Sequence, residues 1–248
     1  MQTKTFANTI RRIVPTGLFA LHSLCIANDV APTPEKKIPC TLEVVASGRI
    51  GLIEVPLESG APFIAEAHHR NDKLVDDKLQ PGPEQVHKFY RDSMGRVRDE
   101  TLNADGSVEQ VELRDPVAGV RYSLYGPSED GFVTALKAKS ANEETPIPEA
   151  ELPKNAEILC RSLGTRQFDG ISANGESVHF TLRDRANDQV VLEAFLESWY
   201  APALKVLIFG TARGMKFINF YKKLTHIEKT EPAPALFQPR SGAKIRKI

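Results

Sequence analysis

Apolar residues recur at every second position through much of this chain. In 120–125, Val120, Tyr122 and Leu124 fall on one side and Arg121, Ser123 and Tyr125 on the other, which predicts a half-buried strand. Val178, Phe180 and Leu182 alternate with His179, Thr181 and Arg183 after the Asn174-Gly175 turn signal. Over 190–199, Val190, Leu192, Ala194, Leu196 and Ser198 oppose Glu193, Glu197 and Trp199. Leu192, Leu196 and Trp199 would also share a helical face, so a helix stays open as the second reading there. The corner Trp199-Tyr200-Ala201-Pro202 breaks this run from Leu204–Phe209, because Pro202 lacks the N–H that a continuing ladder needs. A last long strand is expected over 216–229, with Phe220 and Leu224 against Tyr221, Thr225 and Ile227.

Shorter signals fill the rest. Two apolar runs, 42–46 and 50–55, flank Ser47-Gly48 as in a hairpin, and 63–68 reads as a strand. The polar stretch 71–84, with Pro81-Gly82-Pro83, reads as a long loop, and 141–154 as a surface loop or short helix. Turns at Ser93-Met94-Gly95 and Asn103-Ala104-Asp105-Gly106 separate strand candidates. The pattern predicts a mainly β fold: a curved antiparallel sheet or incomplete β-barrel with one or two short helices.

Composition narrows the classes. The 248 residues carry 32 Lys+Arg and 32 Asp+Glu, so no overall field favours nucleic acid. Lys4, Arg11 and Arg12 precede a mostly apolar run ending in small residues at Cys25 and Ala27, the pattern of a cleavable signal peptide over 1–27. A retained membrane anchor is the competing reading, and the run falls short of the roughly 20 apolar residues a spanning helix needs. The expected layout is a flexible leader at 28–39, one β-rich domain at 40–240 and a frayed basic tail at 241–248. No transmembrane span is expected after cleavage, and the location is periplasmic or secreted. Cys40 and Cys160 would be the thiols left after cleavage, either bridged or buried and free.

Candidate chemistry is sparse. His68 and His69 are adjacent, so on a strand they point to opposite faces, while His87, His179 and His226 are isolated. With no HExxH or CxxC spacing, no metal site or cofactor is expected. Gly170-Ile171-Ser172-Ala173-Asn174 lacks the final glycine of a nucleophile elbow, and 210–216 lacks phosphate-loop spacing. No catalytic residue is singled out. Arg91, Arg96, Arg98 and Arg114, with Arg121, form the densest cation set and are the candidate anion site. Interleaved Asp92, Asp99, Glu100, Glu112 and Asp115 favour instead a solvated face of cross-strand ion pairs.

The stretches Tyr90-Arg91-Asp92-Ser93-Met94-Gly95-Arg96-Val97-Arg98, Arg114-Asp115-Pro116-Val117-Ala118-Gly119-Val120, Ser162-Leu163-Gly164-Thr165-Arg166, Glu197-Ser198-Trp199-Tyr200-Ala201-Pro202 and Glu231-Pro232-Ala233-Pro234-Ala235-Leu236-Phe237-Gln238 resemble a family of exported, uncharacterised bacterial β-rich proteins. The resemblance covers about residues 50–245. In strand layout that family is similar, remotely, to the lipoprotein-carrier half-barrels of the bacterial periplasm, whose curved sheet wraps an apolar cavity. With no nucleophile–base, metal or cofactor motif, and a curved sheet lined by alternate apolar residues, the favoured reading is a cell-envelope protein that binds or carries an apolar ligand or a partner chain without catalysis. Alternatives are an exported hydrolase and a structural or scaffold protein of the envelope. Val120, Tyr122, Leu124, Leu192, Leu196, Phe220 and Leu224 are the candidates for a ligand-cavity lining, against the simpler reading that they fill a closed core. The oligomeric state is left open.

Overall fold

A computed structural model describes residues 36–38, 55–75, 78–136, 154–214 and 219–248 of the chain. All of these belong to one compact unit, Pro32–Ile248. The expected signal peptide, Cys40, the hairpin before Val55 and the loop over 141–153 lie outside the described residues.

The fold is mainly β. Its strands are β1 (Lys36–Ile38), β2 (Phe63–Asn71), β3 (Lys73–Val75), β4 (Lys78–Gln80), β5 (Glu84–Arg91), β6 (Val97–Leu102), β7 (Val108–Asp115), β8 (Val120–Tyr125), β9 (Asp130–Ala135), β10 (Ala156–Phe168), β11 (Ile171–Arg183), β12 (Val190–Ala201), β13 (Val206–Arg213), β14 (Phe220–Glu228) and β15 (Ile245–Lys247). Thirteen of them form one curved, unclosed sheet in the order β1-β10-β11-β12-β13-β14-β2-β5-β6-β7-β8-β9-β15. Two runs of hairpins, β5 to β9 with β2 and β10 to β14, meet where β14 pairs with β2. Among the described residues the helical content is a single 3-10 turn, Pro234–Phe237.

Local chemistry accounts for the turns and bends. Between β5 and β6, Asp92 accepts hydrogen bonds from the amides of Met94 and Arg96, while Gly95 takes φ 82°. A side chain at that φ would be strained and would meet the backbone of residues 57–59. At Gly175 the reason is close approach: a Cβ there would come within 2.6 Å of the Trp199 ring, its cross-strand neighbour. Trp199 thus needs a bare backbone opposite it. The strand reading of 190–199 holds, and the helical alternative falls, because β12 is laddered on both sides.

Four expectations need correction. The leader is not wholly irregular, since Lys36–Ile38 pairs with β10 as an edge strand. The basic tail is not frayed: Ile245–Lys247 lies parallel to β9, with Ile245 packed near Val111 and Leu124. The polar stretch 71–84 contains the small hairpin β3–β4. Ile227 joins the same core cluster as Leu224 rather than the opposite face. The cause is a register shift between Thr225 and Glu228, with His226 at φ 52°, which breaks the two-residue period.

Both faces of the β2–β5–β6–β7–β8 region are buried. On one, the core face, Phe63, Ala65, Ala67, Phe89, Val97 and Leu224 join a cluster that extends to Trp199, Val206 and Ile208. On the opposite face Val111, Leu113 and Leu124 form a second cluster. The C-terminal segment covers this second cluster, with Phe237 buried and Ile245 packed in.

Candidate functional site

The described structure does not gather the seven proposed lining residues. Strand register carries Leu196 to Ala212 and on to Phe220, which places Leu192, Leu196, Phe220 and Leu224 on the core face. Continuing across, Ala67 faces His87, then Thr101, Gln110 and Tyr125, so Val120, Tyr122 and Leu124 lie on the other side. Leu124 is fully buried in the second cluster, Leu196 and Phe220 belong to a third with Cys160 and Val178, and Leu192 and Val120 are half-buried.

Nor do the arginines converge. Arg91 is fully buried over the Phe63 ring and donates to the carbonyls of Pro56, Ala61 and Leu204. Burial draws its pKa down to about 10. Arg96 pairs with Asp92 at 2.6 Å and sits over Phe237. Arg98 bonds Glu100 at 2.6 Å, Glu129 at 2.8 Å and the Leu236 carbonyl. Burial works to lower the Arg98 pKa, and the hydrogen bonds to Glu129 and Glu100 outweigh it and raise it. Arg114 bonds the Val55 carbonyl and faces Glu112 at 3.3 Å. The solvated face of ion pairs is therefore half right: the pairs exist, but Arg91, Arg98 and Arg114 are buried. These cations act as joints.

The resembling motifs are joints too. Glu231 accepts from the Ser93 amide and hydroxyl, and Arg91 reaches Leu204 just past the Trp-Tyr corner. Asp115 accepts from the amides of Val117 and Ala118 and shapes its own turn.

What stands apart is a polar group on the apolar core face. Alternation along β2 buries Phe63, Ala65, Ala67 and His69 and turns Glu66 and His68 away. β5 buries His87, Phe89 and Arg91, and β14 buries Phe220, Lys222 and Leu224. Lys222 lies directly across from His69, and His87, paired with Ala67, is diagonal to it. His87 stacks on Phe89, and its Nδ1–H donates to Asp99 at 2.8 Å, which orients the ring. Its Nε2, and that of His69, are buried and hydrogen-bond to nothing. Burial, then His87, then Lys222 hold the His69 pKa below its ordinary value, so the ring is neutral at neutral pH.

The sequence missed this group because it treated His87 as isolated. The adjacency argument for His68 and His69 was sound, since His68 turns outward to Glu84 while His69 turns inward. The missing signal was the β14–β2–β5 register.

Chemically, two fixed imidazole nitrogens beside an ammonium can hold a polar or acidic group. No hydroxyl or thiol among the described residues hydrogen-bonds to either Nε2, and Thr101 approaches His87 at Nδ1, 3.5 Å away. Among the described residues no set of three or more His, Cys, Asp and Glu is arranged to hold a metal. Nor does any described helix have the length and apolarity to cross a membrane.

No family model matches the chain, and no curated protein matches it. Among solved structures, a DUF1329 family protein from Desulfovibrio piger is similar over 79% of this chain and 94% of that chain, at 10% sequence identity and a TM-score of 0.29. At that TM-score the likeness supports no inference about activity or ligand.

Proposed function

We propose that the protein is a non-catalytic envelope protein that binds an amphipathic ligand on the core face of the sheet. The polar head would sit at His69 and His87 and the apolar part against Ala65, Ala67, Phe89 and Leu224. One observation carries this reading: two buried imidazole nitrogens without hydrogen-bond partners beside a buried apolar cluster. Leaving each unpaired costs about 1–3 kcal/mol, a cost that a bound group would relieve.

Export is supported by the signal-like segment 1–27 and by Cys160, which is disulfide-bonded. The partner lies outside the described residues. β1 sets Ile38 opposite Cys160, two residues before Cys40, which favours Cys40 as that partner.

Native mass spectrometry of protein from the periplasm, followed by organic extraction, tests the proposal. A co-purifying amphiphile lost in His69→Phe with folding retained is the expected result. A ligand-free protein whose two imidazoles hold only ordered water would end it.

A further inference from the structure

The C-terminal segment is held firmly up to Phe237 and lightly beyond it. Glu231 accepts from Ser93, the Leu236 carbonyl accepts from Arg98, and Phe237 is buried beneath Arg96. From Gln238 onward no residue is fully buried: Pro239, Ala243 and Ile245 are half-buried and the others are exposed. What holds this end is mostly main chain. β15 sets Ile245, Arg246 and Lys247 opposite Gly131, Phe132 and Val133 of β9. The Gly131 amide donates to the Lys244 carbonyl, and the Ile248 amide to the Val133 carbonyl. Of these end residues, Ile245 reaches the apolar cluster of Val111, Leu113 and Leu124. Charge matches as well: Glu129 lies 3.4 Å from the Arg240 guanidinium, and Asp130 takes the Lys244 amide at 2.7 Å.

We propose that the β9 edge and this cluster form a strand-accepting site, filled here by the chain's own residues 244–248, and that the same segment of a second copy binds it in exchange. Strand addition to an edge draws affinity from main-chain hydrogen bonds and specificity from the side chains that alternate into pockets. Residues 244–248 supply both whichever copy they come from, so exchange keeps every contact between β9 and β15. Without β15, β9 would be the last strand of the sheet, and 131–135 carries no charge to keep another strand away. Departure of the segment uncovers one half-buried isoleucine, a small loss beside opening the sheet itself. The hinge is the turn closed by the Ala243 amide on the Arg240 carbonyl, where Gly242 takes φ 90°. A Cβ at Gly242 meets nothing within 4 Å, so a valine there strains the backbone conformation alone. Strain in that turn favours an extended hinge, which carries the segment from its own β9 toward another copy's.

Crosslinking of full-length chains tests this. Phe132→Cys and Arg246→Cys place thiols at paired positions, and strands about 4.7–4.9 Å apart suit a disulfide. With both substitutions in one chain, mild oxidation should give an intramolecular bond, located by peptide mapping. Mixing the two single variants before oxidation should give a heterodimer bonded between positions 132 and 246. Its yield should rise with protein concentration, and severalfold more when both chains carry Gly242→Val. No heterodimer at any concentration, with or without Gly242→Val, would overturn the proposal if the double variant bonds within its chain. A double variant that forms no bond would overturn it too, as would dimers bonded only between two 132 positions, which would mean that β9 edges pair with each other. Should Phe132→Cys fail to fold, Val133→Cys with Lys247→Cys reads the same register.

Discussion

Two buried polar clusters lie on opposite faces of neighbouring strands, and they are built by different rules. Under the C-terminal segment, Arg98 is satisfied by Glu100, Glu129 and the Leu236 carbonyl, and Glu129 also takes the Arg240 amide at 3.0 Å. On the core face, His69 and His87 each keep one nitrogen with no partner. Full pairing marks a cluster that holds structure together, since a buried charge survives only with its partners. Incomplete pairing is what the head of the proposed ligand would complete.

Breaking the paired cluster should have the largest effect. Glu129→Ala removes one of the two carboxylates that pair with buried Arg98, leaving Glu100, and should cost about 3 kcal/mol, read from the urea midpoint. Phe237→Ala, which removes a buried ring from the covering segment, should cost about 3 kcal/mol by the same measurement. A loss under about 1 kcal/mol in both would show that the C-terminal cover is not part of the core.

The open cluster should respond in the other direction. His69→Phe removes an unpartnered nitrogen and should change stability by less than about 1 kcal/mol, with stabilisation the favoured sign. A loss of several kcal/mol would mean that the imidazole has a structural partner.

The smallest effect is in pH. The folded His69 pKa lies below the unfolded value of about 6.5, so the unfolded chain takes up the proton first as pH falls. Stability of the ligand-free protein should therefore drop below about pH 6.5, by at most about 1.4 kcal/mol per pH unit from this group. The informative quantity is wild type minus His69→Phe, which isolates the contribution of this one imidazole. A difference independent of pH would remove His69 as the source.

Period-two patterning made the strands legible, and β8 and β12 stand where the alternation of Val120–Leu124 and Val190–Ser198 placed them. Interleaving of charge around 91–115 correctly signalled ion pairs, but alternation alone cannot say that a polar-looking face will be covered by a segment 138 residues away, as Arg98 is by Leu236. Ile227 escaped because a bulge resets the period without a glycine or proline to announce it. The histidine pair escaped for a related reason. His69 and Lys222 become neighbours only through the β14–β2 ladder, a contact between distant parts of the sequence.

That ladder has a kinetic meaning as well. The hairpins β5 to β9 and β10 to β14 pair largely with their sequence neighbours, whereas β14 and β2 must find each other across most of the described chain. Closing so long a loop is slow relative to local hairpin formation, so this seam is expected to form late. Because Lys222 and His69 sit on either side of it, a molecule bound there would contact only chains in which the two halves have already joined. It would act as a clamp on the last step of folding, drawing the population toward the completed sheet by mass action.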